Sequence, residues 1–148
     1  MDTEIRTFGG YSKDFALAME VRQKVFVIEQ KVPAELERDE FDEQATHLIL
    51  LAAGLPVGTG RFFADLKHAG TARLGRVAVL KECRGLRLGQ VIVARLLEEI
   101  KNSGKFNRVL IHAQIAVVGF YARFGFKKVG EEFVEAGINH CEMIYIFR

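Results

Sequence analysis

Arg84-Gly85-Leu86-Arg87-Leu88-Gly89 lies between the apolar run Val77-Ala78-Val79-Leu80 and the long segment that opens with Gln90-Val91-Ile92-Val93 and reaches Ile100. A β-branched strand, a basic glycine-containing turn and an amphipathic helix, in that order, make a seat for phosphate. The first amides of a helix have no acceptor within the helix, and its dipole adds partial positive charge there. Gly85 and Gly89 let a ligand approach the backbone where a Cβ would obstruct it, and Arg84 and Arg87 add full charges. The expected ligand is anionic and phosphorylated. Two other phosphate motifs do not fit. A P-loop ends in Gly-Lys-Ser/Thr, so that a lysine and a hydroxyl reach the phosphates and magnesium, and this turn has neither. Gly58-Thr59-Gly60 starts like a dinucleotide fingerprint, but Arg61-Phe62-Phe63 follows and no third glycine comes.

The 148 residues suit one domain spanning 1–148, long enough for a hydrophobic core. An apolar fraction of 49% and a charged fraction of 27% are those of a globular chain. The net charge of +2, with its basic residues scattered, leaves no footprint for nucleic acid. No apolar run reaches membrane-spanning length, and Met1-Asp2-Thr3-Glu4 lacks the regions of a signal peptide. No membrane partner and a cytoplasmic location are therefore expected. Cys83 and Cys141 are too few for a disulfide framework and are expected as free thiols. His112, His140, Cys83 and Cys141 lack zinc-ligand spacing, and the neighbours His140 and Cys141 would project from opposite faces of a strand. No metal is expected.

Outward from the turn the pattern is mixed α and β. Residues 5–8 have strand character. Ser12 is placed to cap a helix carrying Phe15, Met19, Arg22 and Phe26 along one side. The acidic stretch 31–43, which contains Pro33, is expected as a loop or broken helix. Residues 46–53 and 57–64 are strand-like, with Gly54-Leu55-Pro56 as their turn, and 72–80 is the strand before the phosphate turn. Leu88, Ile92, Leu96 and Ile100 share one helix face, which Gly104 ends. Residues 108–113 form a further strand, 117–124 a short helix closed by Gly125, and 129–134 and 142–147 the last strands. The expected fold class is α/β, an α+β arrangement around a mixed sheet.

The segment Ile111-His112-Ala113-Gln114 leads through a polar break into a short helix carrying Gly119-Phe120-Tyr121-Ala122-Arg123-Phe124-Gly125-Phe126. Here the chain resembles the GCN5-related N-acetyltransferases, the GNAT superfamily, over nearly its whole length. The family's acetyl-CoA signature, Gln/Arg-x-x-Gly-x-Gly/Ala, is similar to Arg84 through Gly89, with Arg87 where the middle glycine usually stands. Its late Asn-x-x-Ala-x-x-Phe-Tyr-x-x-x-Gly-Phe region resembles residues 114–126, with Gln114 and Val117 at the Asn and Ala positions. A narrower resemblance is to the ElaA/YjcF-like branch. It is carried by Arg22-Gln23-Lys24-Val25-Phe26-Val27-Ile28-Glu29-Gln30-Lys31-Val32-Pro33, by Glu35, Asp39 and Asp42, and by Ala45-Thr46-His47-Leu48. Gly75-Arg76-Val77-Ala78-Val79, the Ala113-Gln114 pair and the tail Ala136-Gly137-Ile138-Asn139-His140-Cys141-Glu142-Met143 extend it.

The resemblance implies a GNAT-type acyl-CoA N-acyltransferase fold in which the strands at 72–80 and 108–113 splay apart. Pantetheine would lie in the gap, paired with the backbone of Val77, Ala78 and Val79. The amides of Arg84, Gly85, Leu86, Arg87, Leu88, Gly89 and Gln90 would hold the pyrophosphate, with Gln114 and Phe120 also at the CoA site. Acetyl-CoA is the implied cosubstrate. An amide at Val79 would face the thioester oxygen, where one fixed donor supplies about 3 kcal/mol of transition-state stabilisation. Tyr121 resembles the family's general acid, since a phenol of pKa about 10 keeps its proton at neutral pH and can pass it to the CoA sulfur. Its other reading is packing beside Phe120.

An alkylammonium must lose a proton before it attacks, and Glu29, His47 and His140 are the candidates to receive it. Each has a structural reading as well: a solvated helix-end acid, a hydrogen-bonded strand residue, and a loop-carbonyl partner. Arg61 and Arg76 would bind an acidic acceptor or, as strand arginines commonly do, pair with carboxylates of the 35–43 stretch. Bordering the acceptor cleft, Glu35, Glu37, Asp39, Glu40, Asp42 and Glu43 would attract a cationic amine. The expected reaction is acetyl transfer to a small primary amine in a ternary complex, and a homodimer is allowed for. The other reading is a non-catalytic acyl-CoA-binding or regulatory module.

Overall fold

The computed structural model of the protein describes residues 2–147, apart from the side chains of Glu35 and Leu36. Seven strands form one sheet in the order β1-β2-β3-β4-β5-β7-β6. They are β1 (Thr3–Gly9), β2 (Thr46–Ala52), β3 (Leu55–Ala64), β4 (Thr71–Val79), β5 (Arg108–Gln114), β6 (Lys127–Glu135) and β7 (Ile138–Ile146). All neighbours are antiparallel except β4 and β5. Parallel strands need a crossover, and helix α3 (Leu88–Asn102) supplies it. The mixed α/β class read from the pattern is the one found.

Leu88, Ile92, Leu96 and Ile100 are buried on α3 as their spacing predicts, joined by Val93. The helix lies close on β3 because two glycines face it. A Cβ at Gly58 would stand 2.7 Å from Ile92 Cδ1, and one at Gly60 2.7 Å from Leu96 Cδ1. The Gly-x-Gly of this strand therefore serves helix-to-sheet packing.

Several boundaries depart from expectation, each for a local reason. The first hairpin turns at Ala53-Gly54 (φ 50° and 80°) and the last at Ala136-Gly137 (φ 52° and 77°). Two positive φ angles in succession match the twist of tight two-residue hairpins. The expected turn at 54–56 therefore moves back, and Pro56 sits inside β3 where the register to β2 shifts, a tolerated place for a residue without an N–H. The last turn starts β7 at Ile138, so His140 and Cys141 are strand residues.

Helix α1 (Phe15–Arg22) has Asp14, not Ser12, at its N-cap, and neither cap side chain bonds there. Its buried side is Phe15, Ala18, Val21 and Arg22, whereas Met19 and Phe26 are only partly buried. The helix widens into a π-helical stretch, Gln23–Glu29. After it, α2 (Ala34–Glu37) is a single turn, and α4 (Val118–Ala122) follows β5. Among the described residues no helix is long and apolar enough to cross a membrane.

Candidate functional site

β4 and β5 pair only at Thr71↔Arg108, Ala72↔Val109 and Arg73↔Leu110, where Arg108 Nε also donates to Thr71 Oγ1 at 2.7 Å. Beyond this joint the strands part. β4 runs on to Val79 and β5 to Gln114, and β5 stays paired with β7 throughout. A bulge in β4 accompanies the fork. Thr59 pairs with Ala78 and Arg61 with Gly75, which leaves Arg76 and Val77 opposite Gly60 alone. Arg76 takes φ 48° there, and such an inserted residue bends its strand. Leu80 N donates to Val57 O at 2.9 Å. By the alternation of an antiparallel ladder, the N–H and C=O of Val79 then point away from β3, into the fork.

At the mouth of the fork is the turn that leads into α3. Gly85 has φ 87° and Arg87 φ 62°. No side chain caps α3, and its first helical bond runs from Val91 N to Arg87 O. Among the described residues, the successive amides from Gly85 to Gln90 donate to nothing. Arg87 holds the left-handed conformation that a glycine adopts without strain, so the turn keeps the backbone shape of a glycine at that position. Arg84 departs from expectation. Its Nη1 and Nη2 grip Glu29 at 2.6 and 2.7 Å, and its Nε donates to Val79 O at 3.1 Å. The positive potential of the turn thus comes chiefly from its amides and Arg87. A Cβ at Gly89 would touch the Phe120 ring at 3.5 Å, which places α4 beside the start of α3.

Tyr121 is buried, edge-on to Phe120 and Phe126. Burial pushes its phenol pKa up, so the proton stays on oxygen. The three candidate bases fall in different surroundings. At Glu29 the Arg84 hydrogen bond holds the carboxyl below its ordinary range, against a smaller effect of burial, and a carboxylate so held is a weak base. His47 is 1% exposed. It donates from Nε2 to the Asp42 carbonyl at 2.9 Å and packs against Phe8 and Phe15. Burial pushes its pKa down, and the Asp42 contact only partly offsets this; these are the contacts of a structural residue. His140 donates from Nδ1 to Ile138 O at 2.7 Å, stacks on Phe133, and has Nε2 3.8 Å from Glu135. Gln114 Nε2 donates to Gln30 Oε1 at 2.9 Å, tying β5 to the end of the π-helical stretch.

Glu37, Asp39 and Asp42 of the acidic stretch are paired with arginines, which corrects for these three the expectation that they attract a cation. Arg22 is 1% exposed. It donates from Nε to Glu37 Oε1 and from Nη1 and Nη2 to the two Asp42 oxygens at 2.8 and 3.1 Å. Arg61 grips Asp39 at 2.6 and 2.7 Å and reaches Asp42 at 2.7 Å. Arg76 donates to the Glu37 carbonyl at 3.0 Å and to Asp39 at 3.1 Å. Burial alone would raise the Asp42 pKa. The Arg22 hydrogen bond and the Arg22 and Arg61 charges more than reverse this and hold the carboxyl well below the carboxylate range. The strand arginines pair with this stretch, as the other reading has it. Glu40 and Glu43 are exposed, and the Glu35 side chain lies outside the described residues.

A second charged cluster escaped the sequence. On β5, His112 has Nδ1 3.3 Å from Arg73 Nη2 and 3.3 Å from Glu135 Oε1, with Nε2 3.4 Å from Glu142 Oε2. Phe133 meets its ring edge-on, centroids 5.1 Å apart. The available signal was strand alternation, which sets His112 on the face opposite Val109, Ile111 and Ala113.

The acetyltransferase (GNAT) domain family matches residues 12–147. The uncharacterized N-acetyltransferase YjcF of Bacillus subtilis is 38% identical over 128 residues, 86% of this chain and 89% of YjcF. The crystal structure of Escherichia coli ElaA superposes with a TM-score of 0.86 at 26% identity, covering 97% of this chain and 99% of ElaA. The PaiA N-acetyltransferase of Thermoplasma acidophilum, solved in complex with coenzyme A, shares the fold at a TM-score of 0.75 and 15% identity, over 99% of this chain and 100% of its own. With the signature turn, the fork and these relatives in agreement, the chain belongs to the GNAT acetyltransferase family, in the branch of YjcF and ElaA.

Proposed function

We propose that the protein transfers the acetyl group of acetyl-CoA to a small primary amine by direct attack in a ternary complex. The observation that carries this reading is the run of unengaged amides from Gly85 to Gln90 at the mouth of the β4–β5 fork. Such a run, at the start of a helix, suits a pyrophosphate. The free edge of β4 at Val77, Ala78 and Val79 suits the pantetheine amides, and an N–H of this edge is placed to polarise the thioester carbonyl. Gln114 and Phe120 complete the walls. The coenzyme A in the related PaiA structure supports the ligand class.

In the proposed step the neutral amine nitrogen bonds to the thioester carbon and the C–S bond breaks. Tyr121 gives its proton to the departing sulfur, and its raised pKa keeps that proton available across the neutral range. The test is calorimetric titration of acetyl-CoA into the wild type and Gly85→Val. A β-branched residue at φ 87° strains the turn and projects toward the ligand, so binding is expected to weaken about tenfold or more. Unchanged affinity overturns the site. Thiol release from acetyl-CoA with a panel of primary amines tests the transfer itself, and binding without release would favour the acyl-CoA-binding module.

A further inference from the structure

The cluster around His112 lies where an acceptor amine must arrive. In the function proposed above acetyl-CoA enters at the turn before α3, at the open end of the fork, so that its acetyl end points down the fork toward the joint. Arg73 is the last paired residue of β4 at that joint, and His112 faces it across the opening at 3.3 Å. Val109, Ile111 and Ala113 belong to the core that α3 covers. His112 alternates with them and projects from the other face of the sheet, the side from which an amine can meet a thioester threaded from the α3 side.

The partners of the ring are the second observation. Nδ1 has a guanidinium donor, Arg73, and a carboxylate acceptor, Glu135, at the same distance, 3.3 Å. It cannot serve both in one protonation state. Neutral imidazole with its proton on Nε2 donates to Glu142 and accepts from Arg73; imidazolium donates to Glu135 and Glu142 together. Imidazolium finds both carboxylates in place, and proton uptake requires only that the Arg73 N–H turn aside from Nδ1. The side chain is 24% exposed, Glu135 47% and Glu142 40%, which leaves an exit for the proton to water. His140 and Phe133 complete the surroundings.

We propose that His112 is the catalytic base of acetyl transfer, taking on Nδ1, directly or through one water, the proton that the attacking amine loses. This rests on the acetyltransferase function proposed above. As the C–N bond forms and the C–S bond breaks, one proton passes from nitrogen to His112 and Tyr121 protonates the thiolate; His112 then releases its proton to solvent and Tyr121 recovers one from it. The products are the acetamide and CoA thiol, with a net proton released only where the amine enters as an ammonium ion.

The test measures thiol release from acetyl-CoA against pH for the wild type, His112→Gln and Glu142→Gln, with butylamine and with 2,2,2-trifluoroethylamine. Butylamine is an ammonium ion at neutral pH and needs a base, whereas the trifluoro amine is already neutral. His112→Gln is expected to lower kcat/KM for butylamine about 10²-fold or more, to abolish the rise of the profile through the imidazole range, and to cost far less with the trifluoro amine. Glu142→Gln keeps the imidazole but removes the carboxylate that faces Nε2, so it is expected to lower kcat/KM for butylamine more than for the trifluoro amine. Arg73, Glu135 and His140 also face the ring and stay constant in this comparison. Wild-type turnover with unchanged rate and profile in His112→Gln overturns the assignment alone. If that variant does not fold, an equal effect of Glu142→Gln on both amines overturns it. Absence of thiol release by the wild type with every amine overturns the transferase function and this assignment with it.

Discussion

Two clusters of charged side chains share one face of the sheet, and they are built to opposite ends. Around Arg22 and Arg61 the carboxylates of Glu37, Asp39 and Asp42 match the guanidinium groups, and the residues at the centre are under 5% exposed. Around His112 the partners Arg73, Glu135 and Glu142 make contacts of 3.3 to 3.4 Å in the open. The first cluster has one satisfactory charge state and is sealed around it. The second is reachable by water. Desolvation explains the difference: a buried ion needs opposite charge within the protein, whereas a partly exposed one is also served by water.

The largest expected effect breaks the sealed cluster. Asp42→Asn leaves two buried arginines short of an acceptor and is expected to cost about 3–5 kcal/mol in chemical denaturation. Glu142→Gln, in an exposed contact, is expected to cost less than about 1 kcal/mol. Equal losses would erase the contrast. The pH dependence follows the same line. The folded pKa of Asp42 is depressed, so its contribution is complete above the unfolded value of about 4 and is lost as pH falls below that value toward the folded one. Denaturation midpoints between pH 7 and pH 3 check this. Next in size is Tyr121→Phe, which is expected to slow turnover about 10²-fold and leave acetyl-CoA affinity unchanged; stopped-flow thiol release and calorimetry together decide it. The smallest effect is at the turn. Arg87→Gly removes the strain of a left-handed residue, worth up to about 1 kcal/mol and offset in part by the freer unfolded chain. Thermal melts are expected to show the variant no less stable than the parent.

The legible parts of the chain were those whose cause lies within a few residues. The strand–turn–helix of 77–100 and the stripe Leu88, Ile92, Leu96, Ile100 follow from local periodicity, and the fork came with the family that the turn resembles. The hairpin turns were displaced because Ala53 and Ala136 hold positive φ, which no propensity assigns to alanine. The bulge at Arg76 adds one residue to a strand and leaves no mark on its alternation. Charge was misread where partners are distant. Glu37 and Asp42 looked like surface acids because Arg22 is 15 and 20 residues away. His112 was weighed only as a metal ligand because Arg73 lies 39 residues before it and Glu135 23 after.

The joint between β4 and β5 has a mechanical consequence. The two halves of the sheet meet through three residue pairs, and Val79 lies six residues farther along β4, about 20 Å of extended chain. That is a lever on a short pivot. A rotation of about 3° at the joint carries the tip through about 1 Å, a displacement that costs about a hundredfold in rate when it separates reacting groups. The bond from Arg108 to Thr71, at the closed end of the joint, therefore belongs to the stiffness of the catalytic geometry.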